Sequence, residues 1–336
     1  MQERRTQAVE DRLAKIEELR RRGIEPYAYR YDVTHHTAPA RAEFEEQERA
    51  GSLGDGGIGE TVRIAGRLLS LRSHGKTVFA DLADRDGRIQ LFFRMNDLGD
   101  SFGLLELLDP GDWVGAEGTL FRTRTGEVSV RVASCELLAK ALRPLPFGKE
   151  EIDEATGERR VYGGFADVEQ RYRQRYADLA VNADVRAVFM ARSRVVTAVR
   201  RFLDDRGYIE VETPVLQPLY GGASARPFVT HHNALDMRLY LRIADELYLK
   251  RLIVGGLERV YEVSKDFRNE GIDRTHNPEF TMLEFYEAFA DYNDMMDLVE
   301  SMIGTVAAAV SGGDTVVTFQ GERIDFSKSF RRLPFL

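Results

Sequence analysis

Hydrophobic residues recur at helical spacing near the beginning of the chain. One apolar stripe is formed by residues spaced four, three and three positions apart, namely Val9, Leu13, Ile16 and Leu19. The remaining faces are rich in arginine and acidic residues, and Gly23 follows as a stop signal. The pattern predicts an amphipathic helix within residues 1–50, and the rest of that range is interpreted as a connector. Two roles stay open for this helix, which are packing against its own protein and contact with a polyanion.

Residues 60–143 show short alternating runs that are typical of strands. The runs are VRIAGRLLSLR, KTVFADLAD, RIQLFFRM, DWVGAEGTLFRT and EVSVRVASCELL. About five strands in about 80 residues, with one helical stretch near residues 104–108, predict a small closed barrel of the OB-fold type. The glycine-rich stretch 51–59 before the barrel is interpreted as a flexible connector, because no GK[ST] follows it to form a phosphate loop.

A second domain follows a stretch that is rich in proline and charge. Residues 144–175 are interpreted as the linker, and residues 176–336 as the second domain. Helices are expected at 184–206, about 245–254 and 291–310. Two long strand-like runs, ERVYEVSKDFRNE and PEFTMLEFYEAFA, are joined by GIDRTHN, and VVTFQGERIDF has the pattern of a hairpin. Together with the barrel, these elements predict an α+β fold class whose second domain is built on an antiparallel sheet.

The composition is that of an ordinary folded protein. The chain has 336 residues, 43% of them apolar, and its 47 basic against 55 acidic residues give a net charge of −8. The acidic total argues against a non-specific polyanion binder, but it leaves room for a locally basic contact surface. A single cysteine, Cys135, excludes an internal disulfide framework and a cysteine-cluster zinc site. The charged start and the lack of an apolar run of roughly 18 residues predict a cytoplasmic protein with no membrane segment.

The most informative stretch for chemistry is 261–289. Because alternate residues of a strand share a face, Glu284 and Tyr286 are predicted to lie together, with Leu283 and Phe285 on the opposite, packed face. A carboxylate beside a phenol is a suitable receptor for an ammonium group. The alternative is a hairpin whose exposed charges pair with each other.

Cationic side chains cluster in the loop between the two long strands. Arg268 stands at a strand end, and Arg274 and His276 follow in the loop. Guanidinium and imidazole donors of this kind are suited to a triphosphate. The stretch therefore places anion-binding groups close in sequence to the predicted ammonium receptor.

The stretch 221–252 is a second candidate. Gly221 and Gly222 allow a ligand to approach the backbone closely. Glu246 stands at a predicted helix start, where a carboxylate is also favourable for the helix itself. The adjacent pair His231-His232 is interpreted as ordinary hydrogen-bonded histidines rather than metal ligands, because neither a cysteine pair nor HExxH accompanies it.

These stretches resemble motifs of the class II aminoacyl-tRNA synthetases. RRFLDDRGYIEVETPVL is similar to motif 1, which supports the dimer interface, and FRNEGIDRTHNPEFTMLEFYEAFADY is similar to motif 2. GGASARPFVTHHNALDMRLYLRIADELYLKRL resembles the lysyl-tRNA synthetases in particular. The order of an N-terminal helix, an anticodon-binding OB barrel and a catalytic domain also matches, and the resemblance covers about residues 10–335.

On the ATP side, the resemblance implies that Arg268 is the catalytic residue, which binds the α-phosphate and stabilises charge during in-line attack. Glu270 and His276 would hold the adenine and the β/γ-phosphate end of ATP. The implied reaction converts lysine and ATP to lysyl-adenylate and pyrophosphate, and then transfers lysine to tRNA(Lys). Mg²⁺ is implied as well, since positioning and charge stabilisation on phosphorus are what this chemistry needs.

On the lysine side, the resemblance implies that Glu284 and Tyr286 receive the ε-ammonium group. Glu246 and the backbone near Gly222 would receive the α-ammonium group. Motif 1 implies a homodimer. Selectivity would come from a buried carboxylate whose charge stays unpaired when the wrong amino acid binds.

In the barrel, the resemblance implies that Phe79 stacks on an anticodon base while Gln90 and Glu127 hydrogen-bond base edges. This agrees with how barrels recognise single strands, with aromatic rings for stacking and polar groups for reading. Taken alone, Phe79 is also compatible with a residue of the barrel core. Gln90 alternates with Ile89 and Leu91 and is expected to face away from them.

One part of the family pattern, the GxGxGxxR of motif 3, is missing from the sequence. The run 255–259, GGLER, lacks the spacing and precedes motif 2. The expectation is a synthetase without its C-terminal part, with the Mg²⁺ ligands beyond Leu336 and none in this chain, and with the activity of this chain left open. The alternative is a catalytically inactive derivative that only binds tRNA or regulates. Aspartyl and asparaginyl enzymes share the architecture, but an acidic substrate would call for arginine where Glu284 stands, and a plain single-strand-binding barrel has no use for motif 2.

Overall fold

The computed structural model describes residues 6–152 and 159–334, without the side chains of 149–152 and 159–162. The chain divides into two compact units, which meet in sequence between Ala183 and Asp184. Within the described part of the chain, no helix is both long and apolar enough to cross a membrane.

The first unit begins with two helices. Helix α1 (Gln7–Arg21) confirms the predicted amphipathic helix, with Ile16 and Leu19 buried and Gly23 in the left-handed region just after its end. Helix α2 (Thr37–Ala50) was not predicted and buries Phe44 against the barrel. Five strands follow, and their bounds are β1 (Ile58–His74), β2 (Thr77–Ala83), β3 (Arg88–Arg94), β4 (Trp113–Arg122) and β5 (Val128–Ala139).

The five strands form a closed barrel in the order β1-β2-β3-β5-β4, which confirms the predicted OB-type barrel. The long strand β1 closes the barrel, because it pairs antiparallel with β2 along one part and with β4 along another. Only the β3–β5 pairing within this barrel is parallel. The helical stretch expected near Leu104–Leu108 is a short helix α3 (Met95–Leu98) followed by a 3₁₀ helix over Gly99–Leu107, whose leucines pack against the barrel core.

A buried lysine holds the end of the barrel together. The Lys140 ammonium is fully buried and lies 2.7 Å from Asp112 and 2.5 Å from Asp109, and it also donates to the Leu107 carbonyl. Asp112 in turn accepts from the backbone N–H groups of Asp109 and Ala141. Because every charge in this group has an opposite partner and hydrogen bonds, burial of the ammonium is tolerated.

The stretch interpreted as a linker contains regular structure. Strands β6 (Lys149–Ile152) and β7 (Arg159–Tyr162) pair antiparallel, and helices α4 (Val168–Arg173) and α5 (Arg175–Val181) follow. The buried Asp178 carboxylate accepts from Arg171 at 2.9 Å and from Asn182 at 2.7 Å, which ties the two short helices together.

In its described residues, the second unit combines three α-helices and one 3₁₀ helix (Asn233–Leu235) with three small sheets. Its α-helices are α6 (Ala183–Asp204), α7 (Glu246–Val254) and α8 (Tyr292–Val310). Its strands are β8 (Ile209–Glu210), β9 (Leu216–Gln217), β10 (Val229–His232), β11 (Met237–Leu241), β12 (Arg259–Phe267), β13 (Glu279–Glu287), β14 (Val316–Phe319) and β15 (Glu322–Asp325). The sheets have the strand orders β13-β12-β8, β10-β11-β9 and β14-β15, and all their pairings are antiparallel except that between β8 and β12. The predicted α+β class is confirmed.

The β12–β13 hairpin has two different faces, and this difference positions the candidate site. On one face Leu283 and Phe285 pack with Tyr261 against the apolar sides of α6 and α8, as the alternation predicted. On the other face Glu262 stands directly opposite Glu284. Ser264 and Asp266 continue this face along β12, and Glu262, Ser264 and Asp266 are all buried.

Candidate functional site

Three phenylalanine rings form an aromatic row on the outside of the barrel. Phe79 on β2, Phe92 on β3 and Phe121 on β4 are half-buried, whereas their neighbours Val78, Phe93 and Leu120 belong to the core. The Phe79 and Phe92 rings are stacked with centroids 4.8 Å apart, and Phe121 follows 5.8 Å from Phe92. Phe79 is therefore an outward-facing residue and not part of the core. Such a row provides faces on which flat bases can stack.

Polar groups flank the aromatic row. Gln90 donates to Glu127 Oε2 at 3.2 Å and accepts from the Ser129 hydroxyl at 3.0 Å, so its amide has a fixed orientation. A groove of about 490 Å³ runs past Phe79 and Gln90, and Arg72 and Arg124 also line it. The structure thus brings together all three barrel residues that the sequence singled out. Phe92 and Phe121 were missed, although each alternates with a core residue in its run.

Glu284 and Tyr286 lie together on the polar face of the hairpin, as predicted. Glu284 Oε1 accepts from the backbone N–H of Asp245 at 3.3 Å, which fixes it at the N-terminus of α7. Burial and the neighbouring carboxylates, Glu284 first among them, raise the pKa of the Tyr286 phenol to about 12. Burial and the nearby acids Asp245 and Glu246 likewise raise the pKa of Glu284. The pair combines a carboxylate with a phenol that stays protonated, and the oxygens of both can accept a hydrogen bond from a cation.

Gly222 and Glu246 are also neighbours. Gly222 has φ +86°, and a Cβ built there would lie 2.8 Å from Glu246 Cβ. The Glu246 carboxylate accepts from Lys250 Nζ at 2.6 Å, one helical turn further along α7. The absence of a side chain at Gly222 therefore keeps a narrow space open beside the Glu246 carboxylate.

Arg268 is a cation with few partners. It is half-buried, and its Nη2 lies 3.5 Å from the Ile243 carbonyl while the guanidinium stands 5.1 Å from the centre of the Phe280 ring. Its Nε is buried and has no hydrogen-bond acceptor among the described residues. A guanidinium held by an aromatic face, with a donor left over, is suited to receive an anion.

The loop after Arg268 separates the other two predicted ATP contacts. Asp273 accepts from the backbone N–H of Thr275 at 2.7 Å and from that of His276 at 2.8 Å, and the His276 ring lies 2.8 Å from its carboxylate. These hydrogen bonds hold the pKa of Asp273 far below its usual range. Glu270 instead lines a groove of about 670 Å³ together with Tyr220 and Arg226. The structure places Glu270 in the groove and holds His276 against Asp273.

A buried acidic group behind Glu284 was not foreseen. One carboxylate oxygen from each of Asp245, Asp266 and Glu284 lies within 4.8 Å of the others. Burial raises the pKa of Asp245 and that of Asp266 to about 6. The signal for Asp266 was present in the run ERVYEVSKDF, where it shares the alternation of Glu262. That these acids are buried could not be seen, because it depends on Arg242, which lies just after β11.

Comparison with known protein families supports a specific interpretation of both sites. A family model described as "tRNA synthetases class II (D, K and N)" matches residues 167–336. A second model, described as "OB-fold nucleic acid binding domain", matches residues 62–138. The first match contains Arg268 and Glu284, and the second contains the aromatic row.

Similar curated proteins are named lysine–tRNA ligase. The protein of Moorella thermoacetica is 52% identical over 326 residues, which cover 97% of this chain and 62% of the relative. That of Carboxydothermus hydrogenoformans is 50% identical, over 98% of this chain and 62% of the relative. That of Clostridium perfringens (strain ATCC 13124) is 49% identical, over 96% and 60%. The chain thus spans about three fifths of the length of these relatives.

Proposed function

This chain belongs to the class II tRNA synthetases of the D, K and N group, and on that basis we propose that it functions as a lysine–tRNA ligase. In the proposed reaction a carboxylate oxygen of lysine attacks the α-phosphorus of ATP, which forms lysyl-adenylate and releases pyrophosphate. The lysyl group then passes to the 3′ end of tRNA(Lys), and AMP leaves. The proposed setting is the cytoplasm, with a homodimer formed through the motif 1 segment.

The observation that carries the proposal is the surplus of negative charge around Glu284. Asp245 and Glu246 both act electrostatically on the Glu284 carboxylate, and the Tyr286 phenol lies on the same face of the hairpin. A pocket of this sign favours an amino acid with a cationic side chain and disfavours aspartate, because an added carboxylate would be repelled. Asparagine would leave the buried charges without a counter-charge.

In the proposed site, Glu284 and Tyr286 orient the ε-ammonium group of lysine. Glu246 and the backbone at Gly222 receive the α-ammonium group, which leaves the lysine carboxylate directed towards phosphorus. Arg268 binds the α-phosphate and stabilises the charge that develops there, since a fixed guanidinium lowers the barrier without moving. No general base is needed, because the attacking carboxylate is already ionised.

The nucleotide side of the proposed site offers groups for both the adenine and the phosphate end of ATP. Glu270 lines the groove next to Arg226, and His276 is held in the loop, so both are available for contacts with ATP. Mg²⁺ would offset the phosphate charge when bound. In the described part of the loop the carboxylates are Glu270 and Asp273, and Asp273 is engaged by His276, so this loop does not offer a ready Mg²⁺ ligand set.

The aromatic row of the barrel is proposed to read the anticodon of tRNA(Lys). Phe79 and its neighbouring rings would stack on unpaired bases, while Gln90 and Glu127 would hydrogen-bond their edges. The fixed amide of Gln90 supports this role, because a pre-oriented donor and acceptor distinguish bases better than a freely rotating one.

The test is lysine-dependent exchange of radiolabelled pyrophosphate into ATP, with the purified 336-residue chain and Mg²⁺. Exchange is expected with lysine and not with aspartate or asparagine. Titration calorimetry with the same three amino acids gives the affinities separately. Glu284→Gln is expected to weaken lysine binding about tenfold or more and to leave ATP binding unchanged. Equal affinity for all three amino acids would overturn the proposal, and lysine binding without exchange would limit it to recognition.

A further inference from the structure

Three carboxylates contact a single buried arginine behind the proposed lysine site, and a fourth carboxylate lies beside two of them. Arg242 Nη1 lies 2.6 Å from Glu262 and 3.1 Å from Asp245, and its Nε lies 3.4 Å from Asp266. Arg242, Glu262, Asp245 and Asp266 are all less than 5% exposed. The fourth carboxylate is Glu284, which approaches Asp245 and Asp266 to within 4.8 Å. One guanidinium cannot neutralise four ionised groups.

The hydrogen bonds in this cluster are incomplete. Asp266 Oδ2 and Glu284 Oε2 are buried and receive no hydrogen bond from the described residues. Asp245 Oδ1 receives none either, although Arg242 stands nearby. The Ser264 hydroxyl lies 2.7 Å from Asp245 Oδ2 and 3.3 Å from Asp266 Oδ1, but it has one proton to give. Burying a carboxylate oxygen without a hydrogen-bond donor costs free energy, so the cluster is suited to bind a group that donates hydrogen bonds.

The remaining charged groups around the cluster leave it negative. Arg268 acts on Asp266 from the loop side, while Glu246 on α7 adds a further negative charge beside Glu284. Tyr286 faces Glu284 as a protonated phenol. Arg242, Arg268 and Lys250 therefore stand against five carboxylates, and Lys250 lies 2.6 Å from Glu246. Of these cations, Arg268 is proposed to bind phosphate. Only an added proton or an added cation corrects this imbalance.

We propose that Asp245 and Asp266 act with Glu284 as one receptor for the ε-ammonium group of lysine, and that the cluster releases a proton to solvent as the ammonium arrives. This inference rests on the proposed function and extends it from Glu284 to two residues behind it. Asp245 and Asp266 would then be specificity-determining residues, because a cationic side chain neutralises the negative charge of the cluster and a neutral or anionic side chain does not.

The direction of the pH effect follows from the protons that the cluster holds before lysine binds. Burial and the neighbouring acids raise the pKa of Asp245 and that of Asp266 to about 6, so the empty cluster retains protons near that pH. An ammonium group lowers these pKa values and displaces a proton. Lysine affinity is therefore expected to rise with pH, by at most about tenfold per pH unit for one proton, between about pH 5 and pH 7 and to level off above.

Titration calorimetry measures the proton directly. Lysine is titrated into the 336-residue chain at pH 6 in two buffers of different ionisation enthalpy, and the difference in apparent binding enthalpy gives the number of protons released. About half a proton or more is expected for lysine at pH 6 and almost none at pH 8. Norleucine, which has the same chain length without the ε-ammonium group, is expected to bind weakly and to release none.

Two isosteric variants separate this role from a structural one. Asp266→Asn and Asp245→Asn are each expected to weaken lysine binding about tenfold at pH 8, to flatten its pH dependence and to reduce the proton count at pH 6. Binding of ATP is expected to stay unchanged. Glu279→Gln, which alters an exposed acid on β13, is the matched control and is expected to match the parent chain.

The outcomes distinguish this inference from the proposed function. The joint receptor would be overturned if the parent chain bound lysine without releasing a proton. It would also be overturned if both variants released as many protons as the parent chain. In either case the proposed lysine site at Glu284 would stand. Failure of the parent chain to bind lysine at any pH would overturn both. If one variant does not fold, as judged by its melting curve, the proton count of the parent chain and the other variant still decide.

Discussion

Arg242 donates to Glu262 at 2.6 Å, and both residues are buried. The same guanidinium also reaches the Lys265 carbonyl at 3.0 Å and the Thr213 carbonyl at 3.2 Å. Glu262 in turn accepts from the Thr213 hydroxyl at 2.7 Å. This one ion pair therefore joins β12 to the segments that carry Thr213 and Arg242 and allows the acids of the polar face to be buried.

Removal of the arginine is expected to be severely destabilising. Arg242→Ala leaves Glu262, Asp245 and Asp266 buried without the guanidinium that contacts all three. We expect it to lower the free energy of unfolding by about 3–5 kcal/mol. Arg238→Ala, on the exposed side of β11, is the control and should cost less than about 0.5 kcal/mol. Urea unfolding followed by circular dichroism measures both. Equal stability of the two variants would show that Glu262 and its neighbours are neutral in the folded chain.

The two lysines that contact Asp109 provide a comparison between buried and exposed ion pairs. Lys140 is fully buried, whereas the Lys15 side chain is 28% exposed. We expect Lys140→Ala to lower the free energy of unfolding by about 3–5 kcal/mol, because Asp112 would remain buried and unpaired. Lys15→Ala is expected to cost about 1 kcal/mol or less, since water can replace it. Thermal unfolding of the two variants gives the comparison, and a larger effect of Lys15→Ala would contradict it.

The attachment of α2 to the barrel is expected to depend on pH. Asp84 accepts from the Thr37 backbone N–H and hydroxyl, both at 2.7 Å, and from the Asp86 and Gly87 N–H groups. Although burial acts in the opposite direction, these hydrogen bonds hold the pKa of Asp84 below its usual value of 3.8. Its contribution is therefore complete above about pH 4 and is lost as the pH falls through the lowered pKa of the folded state.

Asp84→Asn tests this linkage. The variant is expected to be less stable at pH 7 and to lose less further stability between pH 5 and pH 3 than the parent chain, because the titrating carboxylate is gone. Urea unfolding at a series of pH values, with α2 monitored by hydrogen exchange, makes the measurement. A variant with the same acid dependence as the parent would assign the effect to other carboxylates such as Asp109, whose pKa is also lowered.

The elements that could be predicted from the sequence are those whose hydrophobic periodicity is visible within a short stretch of the chain. The alternating runs of the barrel and the two faces of β13 follow from the period of a strand, and Glu246 does begin α7 as the helix pattern predicted. The tight turn between β14 and β15 also lies at Gln320-Gly321, where both residues have positive φ.

The parts that were missed depend on partners distant in sequence. Helix α2 has a polar sequence with few apolar positions, and its start is fixed by Asp84, 47 residues away. Asp245 and Asp266 look like surface acids until Arg242 is placed between them. In the same way, Phe92 and Phe121 become a row with Phe79 only when the barrel closes. Tertiary context, not propensity, decides each of these cases.

The aromatic row is expected to carry part of the affinity for RNA. Phe92→Ala removes the central ring, which is stacked on Phe79 and packs at an angle against Phe121. We therefore expect binding of a tRNA(Lys) anticodon stem-loop to weaken about tenfold or more. Tyr29→Ala removes a fully exposed aromatic residue outside the row and serves as the control. Fluorescence anisotropy with a labelled stem-loop measures both, and similar affinities would argue against stacking on this row.

The space at Gly222 is expected to be needed for lysine binding. Gly222→Ala places a Cβ 2.8 Å from Glu246 Cβ and 3.1 Å from Ala244 Cβ, at a φ of +86°. Gly256→Ala imposes a similar backbone strain at φ +94° but meets nothing within 4 Å, so it isolates the effect of the contact from that of the strain.

We expect both variants to lose about 1 kcal/mol of stability or somewhat more. Only Gly222→Ala is expected to weaken lysine binding in calorimetry, by about tenfold or more, because Glu246 must move away from the proposed α-ammonium position. Equal lysine affinity of the two variants would remove Gly222 and Glu246 from the proposed site.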